Sequence, residues 1–176
     1  CSIGSSGRAS CWGLGPRGDG LSNGDSRPVE VAGLTNVLDV DVGVGFACAI
    51  EDLGGAMGRQ AFCWTSSNAD LQLGRTGSGT PLPEQVSLAG EEIDLSGGYG
   101  HVCALQPGGA VYCWGRNNAG QLGRDTGGAD DVIGPAVSGI TDATAVSAGR
   151  FHTCVLRSSG ALSCWGKNTS GELGDG

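Results

Sequence analysis

A Cys-Trp dipeptide recurs four times along this chain, at Cys11-Trp12, Cys63-Trp64, Cys113-Trp114 and Cys164-Trp165, with 52, 50 and 51 residues between successive tryptophans. A fixed period near fifty residues restricts the fold to a stack of similar units, because one such unit cannot bury its apolar surface without neighbours. Each dipeptide also follows an earlier cysteine. The pairs are Cys1/Cys11, Cys48/Cys63, Cys103/Cys113 and Cys154/Cys164, three of them ten residues apart and the second fifteen apart. Copies three and four align without a gap from His101 to Gly123 and from His152 to Gly174. The second copy, Phe46 to Gly74, carries five extra residues between its cysteines.

A second block precedes each later hairpin. Val40, Val42, Ile93, Leu95 and Val146 are apolar at every other position and lead into Gly43, Gly98 and Gly149, the pattern of a half-buried strand ending in a turn. No 3.6-residue period of a long helix is present. The 35 glycines follow no G-x-y period, which excludes collagen, and hydrophobic residues at 39% exceed what a disordered chain carries, so the glycines read as turns. Each repeat therefore reads as strand, turn, strand, tight turn, strand, with Gly120 to Gly123 as a short fourth strand. The expected fold is all-β: propeller blades of four short antiparallel strands, in about three and a half repeats. The whole chain, 1–176, is taken as one repeat domain, with blades at 1–24 (partial), 25–75, 76–124 and 125–176.

A hairpin folded about Gly108-Gly109 sets Cys103 opposite Cys113, and one about Ser159 sets Cys154 opposite Cys164, at a spacing that suits a disulfide. Of the 105 pairings open to eight cysteines, the repeat selects the one within each hairpin. Free buried thiols and metal ligands are the alternatives, although no C-x₂-C zinc spacing occurs. Disulfides imply an oxidising setting: secreted, periplasmic or cell-surface.

The stretch G-x-x-H-x-C-A-L…G-x-V-Y-C-W-G-x-N-x-x-G-Q-L-G at Gly98–Gly123, echoed at Gly149–Gly174, resembles the repeat of the regulator of chromosome condensation (RCC) family, and most resembles its bacterial extracytoplasmic branch with paired cysteines. The resemblance implies a seven-bladed β-propeller. It also implies functions exerted by binding proteins, from nucleotide exchange on a small GTPase to inhibition of a secreted enzyme. Seven such repeats need about 350 residues. The chain opens inside a hairpin and closes after a Gly-x-Leu-Gly, so it is expected to be part of a larger seven-bladed or open propeller.

The formal charge of −8, with no cluster among ten basic residues, argues against nucleic acid or an anionic membrane as partner. No apolar run is long enough for a membrane helix. His101 and His152 share a repeat position that Phe46 fills in the second copy, so they read as packing between blades and not as general bases. Trp12, Trp64, Trp114 and Trp165 share one strand position and read the same way. Asp19, Asp25, Asp125, Asp130 and Asp131 lie in glycine-rich loops without calcium-loop spacing. Asn168-Thr169-Ser170 is a glycosylation sequon at a position where Asn117 stands one repeat earlier, which suits a turn. No catalytic residue, metal or cofactor is expected. The long Cys48–Cys63 hairpin, with Glu51, Asp52, Leu53, Met57 and Arg59, is the expected contact loop.

The chain thus reads as a non-enzymatic module that binds a protein or cell-surface partner. The alternatives are self-assembly through stacked blades, or an enzyme inhibitor or exchange-type regulator. Intact mass under non-reducing conditions should show no free thiol, with all eight alkylated only after reduction.

Overall fold

The computed structural model describes residues 1–175. Thirteen strands form four antiparallel sheets. The first holds β1 (Ser2–Ile3), β2 (Ala9–Gly13) and β3 (Asp25–Glu30) in that order. The second holds β4 (Val37–Gly43), β5 (Phe46–Asp52), β6 (Arg59–Thr65) and β7 (Thr80–Gln85). The third holds β8 (Asp94–Gly97), β9 (His101–Leu105) and β10 (Val111–Gly115), and the fourth β11 (Ala143–Ala148), β12 (His152–Arg157) and β13 (Leu162–Gly166). In each of the three later sheets the strand after the inner one carries the first cysteine and the next carries Cys-Trp. Cys48 lies opposite Cys63, Cys103 opposite Cys113 and Cys154 opposite Cys164. All four hairpin disulfides form, Cys1–Cys11 included. A ten-residue closure of this kind contributes about 2.7 kcal/mol in the chain-entropy account.

The fourth strand is not where the sequence placed it. Gly120–Gly123 forms a turn, because Gly120 and Gly123 take φ of 78° and 68°, which a strand cannot hold. The fourth strand comes later and pairs back: β3 on β2, β7 on β6, and Asp131 in a single bridge to Gly115. Residues just past the sequence-based boundaries at 25, 76 and 125 therefore complete the preceding sheet. In the second copy Leu71 occupies the place of Gly120 and is held at φ 57°, the one non-glycine residue at positive φ among the described residues.

Adjacent residues of a strand face opposite sides, and here both sides are covered. On β9, Cys103 and Leu105 pack toward the fourth sheet, while Val102 and Ala104 pack toward the second. On β10, Cys113 faces forward and Trp114 backward. The Cys-Trp dipeptide thus supplies a staple to one side and a large apolar body to the other. Burial of an indole of this size contributes roughly 4–6 kcal/mol of transfer free energy. Trp114 is fully buried and its Nε1 donates to the Gln72 carbonyl at 2.9 Å; Trp165 Nε1 donates to the Gln121 carbonyl at 2.9 Å. Each acceptor lies in the Gly-x-Leu-Gly turn, or its counterpart, of the sheet before. The turn is itself held by an asparagine. Asn68, Asn117 and Asn168 accept through Oδ1 from the N–H of Leu73, Leu122 and Leu173.

The inner strands are joined by side chains reaching across to the next sheet. Asp41 Oδ2 accepts from Gly97 N at 2.9 Å and from Ser96 Oγ at 3.0 Å. Asp94 Oδ2 accepts from Val146 N at 2.9 Å, and Ser96 Oγ from Ala148 N at 3.0 Å. At the ends of these strands Gly43, Gly98 and Gly149 sit against the ring three residues on. A Cβ on Gly98 would collide with the His101 ring and lie 2.5 Å from the Gly149 carbonyl oxygen.

Gly98→Ala should lower the unfolding free energy by about 1–3 kcal/mol through overpacking. Gly108→Ala, in the hairpin turn of the same sheet with open space around it, should change it by less than about 0.5 kcal/mol. Urea unfolding of the two variants checks this contrast.

Candidate functional site

The turns from first to second strand in sheets two to four, 43–46, 98–101 and 149–152, collect at one end of the stack. Backbone bonds close them, Gly98 N to His101 O at 2.8 Å and Gly149 N to His152 O at 2.9 Å, and Tyr99 N donates to Arg150 O between neighbouring turns. The residue after Cys-Trp-Gly is drawn to the same end: Arg116 N donates to Gly100 O at 2.9 Å and Lys167 N to Phe151 O at 2.8 Å.

These turns bring two rings and three cations together. Tyr99 and Phe151 have centroids 5.3 Å apart and are tilted by 44°. Arg116 lies 5.4 Å from the Tyr99 centroid and 5.6 Å from that of Phe151; Arg150 lies 5.3 and 5.1 Å from the same two. Lys167 Nζ is 5.8 Å from the Phe151 centroid. Each such contact contributes about 0.5–1 kcal/mol at an exposed site and holds the cation in place. Beside them runs an open groove of about 470 Å³, floored by Gly97, Gly98 and Gly149 and walled by Val42, Val44, Tyr99 and Arg150. Val44 is 61% exposed. Of the ten basic side chains, seven hold carboxylates. The remaining three, Arg59, Arg116 and Arg150, make no ion pair among the described residues, and two of them stand in this cluster.

The residues singled out by sequence fall elsewhere. In the long hairpin Glu51 is buried and accepts from Thr35 N at 2.6 Å and Thr35 Oγ1 at 3.1 Å, so it fastens the approach to β4 and is not a contact residue. Asp52 and Arg59 are half-buried and lie opposite each other in the ladder. Only Leu53 and Met57 stand out, at 37% and 59% exposure. The hairpin leans on the next sheet, since Gln60 Nε2 donates to Gly90 O at 3.0 Å. Trp12 is 46% exposed, whereas Trp114 is fully buried. The loop aspartates hold their own surroundings: Asp19 and Asp25 face Arg17, Asp131 faces Arg124, Asp125 accepts from Gly127 N and Asp130 from Asn117 N. Sequence reading missed Tyr99, Phe151, Arg116 and Arg150. The available signal was that they occupy positions where aligned copies differ.

His101 is fully buried between the third and fourth sheets. Thr153 Oγ1 donates to the Gln121 carbonyl at 2.9 Å, so it accepts from His101 Nε2 at 3.0 Å, and the ring carries its proton there. Burial first, and the neighbouring His152 second, lower its pKa to about 4. Glu92 is also fully buried, at a position where the other copies have Val37 and Ala143. It accepts from Ala61 N at 3.1 Å, and burial raises its pKa to about 7.

Stacked antiparallel sheets, the three later ones each with an inner strand, a stapled hairpin and a tryptophan packed against the sheet before, define a β-propeller of tandem repeats. Repeat models described as regulator of chromosome condensation (RCC1) repeat match residues 93–121, 143–172 and 108–156. The chain belongs to the RCC repeat family. It is 34% identical over 119 residues to the human probable E3 ubiquitin-protein ligase HERC3, which covers 65% of this chain and 11% of that protein. Its fold is similar to the crystal structure of human WBSCR16, with a TM-score of 0.81 at 24% identity over 98% of this chain and 46% of that one. It is also similar to yeast RCC1 (Prp20), solved bound to Kap60, with a TM-score of 0.74 at 18% identity over 92% of this chain and 40% of that one. The chain therefore spans about a tenth of HERC3 and less than half of either solved relative.

The two buried titrating groups oppose each other. Glu92, raised from 4.5 to about 7, contributes stability that is full below pH 4.5 and is lost as pH rises through 7. His101, lowered from 6.5 to about 4, contributes stability that is full above pH 6.5 and is lost as pH falls through 4. Unfolding free energies between pH 4.5 and 7 should therefore fall with acidification in Glu92→Gln, rise with acidification in His101→Phe, and change least in the unaltered chain.

Proposed function

We propose that this chain is a non-catalytic, protein-binding propeller module of an extracytoplasmic compartment, and that it engages its partner through the turn end of its blades. The observation that carries this reading is the joined set of turns at 43–46, 98–101 and 149–152, where an open apolar groove meets two guanidinium groups that make no ion pair among the described residues. Grooves of this kind, with a few fixed polar groups at the rim, suit recognition more than chemistry. The buried His101 points into the stack and not into the groove, so it is not placed as a general base for a ligand bound there. Four disulfides support the compartment, and the bacterial branch of the family remains the expected source. Yeast RCC1, which is similar in fold, was solved bound to Kap60. Loops of a rigid scaffold are the usual carriers of such contacts, and the Leu53/Met57 tip is a second candidate contact.

A second reading is assembly through stacked blades, favoured by the way a sheet such as the third buries both of its faces against neighbouring blades. Inhibition of an enzyme, or regulation of a GTPase, would be a specialisation of the protein-binding reading.

A displayed library of folded protein domains, panned on the intact chain, tests the three. Binders lost with Val44→Asp and kept with Met57→Glu support the turn end; the reverse pattern moves the contact to the hairpin. A mass in solution that rises with concentration, and is restored to a monomer by Leu162→Glu, would favour assembly instead.

A further inference from the structure

We infer that the turn end is a receptor for an extended acidic peptide segment, one that lays carboxylates on Arg116 and Arg150 and an aliphatic side chain into the groove beside Val42 and Val44. This inference rests on the protein-binding reading above and names the partner's chemistry. Among the described residues Arg116 and Arg150 are two of three cations that make no ion pair, in a protein of formal charge −8, although the Arg116 charge opposes the rise that burial gives the pKa of Asp70. Leaving them free is a charge complement offered outward. Both guanidinium carbons lie within 5.6 Å of the Phe151 centroid, so one short bound segment reaches both. Alternate side chains of an extended strand lie about 7 Å apart on one face, which puts two carboxylates of a Glu-x-Glu segment within that reach. The aromatic faces lie against both guanidinium groups; Arg116 Nε donates to Asn118 Oδ1 at 3.1 Å, so the terminal nitrogens of Arg116 and the N–H edge of Arg150 are what a carboxylate can take.

The groove selects a peptide over a polyanion. Its floor at Gly97, Gly98 and Gly149 has no side chains, so a peptide backbone can approach closely. Its Val42 and Val44 wall offers apolar contact that a sulfated sugar cannot use. The third cation, Lys167, is already 3.4 Å from Glu172, and Asp39 and Asp41 lie on β4 of the same stack, the strand that leads into the 43–46 turn. A highly charged polymer would meet two free cations and a net negative molecule, which is too little to release its counterions.

The test uses the intact chain and a fluorescein-labelled, end-blocked heptapeptide alternating glutamate and valine, read by anisotropy at low salt. Its glutamine–valine counterpart and an unlabelled heparin hexasaccharide serve as comparators. The glutamate peptide should bind at least about tenfold more tightly than the glutamine peptide, since hydrogen bonds to charged groups carry most of the difference. Arg116→Gln/Arg150→Gln should remove that preference and Arg59→Gln should keep it. Arg150→Gln alone, at an exposed position, should weaken glutamate binding about threefold or more with an unchanged melting temperature, which guards against a folding defect in the double variant. Equal binding of the two peptides, weakened by Val44→Asp, would overturn the acid preference while leaving the turn end as a binding face. Binding of neither peptide at millimolar concentration, or tighter binding of the hexasaccharide, would overturn the inference.

Discussion

The stack depends on one contact, a tryptophan set against the turn of the blade before it. Trp114 donates to the Gln72 carbonyl and Trp165 to that of Gln121, and the turns that present those carbonyls are shaped by Asn68 and Asn117. The indole does two things at once. It buries a large apolar area between sheets, and its N–H satisfies a carbonyl that would otherwise be buried unpaired. Because the cysteine precedes it by one residue, the same strand that presses backward with its tryptophan is tied sideways by its disulfide. Where the turn differs the contact is incomplete: Trp64 lies against Gly18 in the divergent first copy, and its Nε1 is buried without a partner among the described residues.

On the inner side of the stack, the first strands of the sheets are joined by polar bonds. Asp41, Asp94 and Ser96 reach from one sheet to the N–H groups of the next, which are free because each inner strand pairs on one edge only. Burial raises the pKa of Asp39 in this row despite the N–H of Leu95. The propeller is thus held by apolar contacts on the outside and by carboxylate-to-backbone bonds inside, and the glycines at 43, 98 and 149 permit the close approach that both need. This rigidity matters for recognition. Turns closed and joined by backbone bonds hold Tyr99, Phe151 and the two arginines in one arrangement, which reduces the ordering entropy that docking of a partner would cost.

Much of this was legible in the residues. The period of the Cys-Trp dipeptide gave the number of hairpins, and the repeat of Cys103/Cys113 at Cys154/Cys164 gave the disulfide pairing, because both follow from distances along one strand pair. The alternation at Val40 and Val42 marked the inner strand. The fourth strand was misplaced because Gly-x-Leu-Gly has the apolar spacing of a short strand, while the left-handed φ that makes it a turn leaves no trace in hydropathy. Glu51 was read as a contact residue because charge suggests exposure, yet its carboxylate is consumed by the Thr35 turn, a contact sixteen residues away.

The local sequence by itself determined the hairpins, their staples, the all-β class and the family, since each is set by spacing within about twenty-five residues. Tertiary structure alone decided which end of the stack presents a surface. Tyr99 and Phe151 lie 52 residues apart, and Arg116 and Arg150 34 apart; stacking of two blades makes them neighbours. No pattern along the chain joins them, because the vector that relates one blade to the next is a packing outcome of Trp, glycine and aspartate contacts acting together, and not a property of any one repeat.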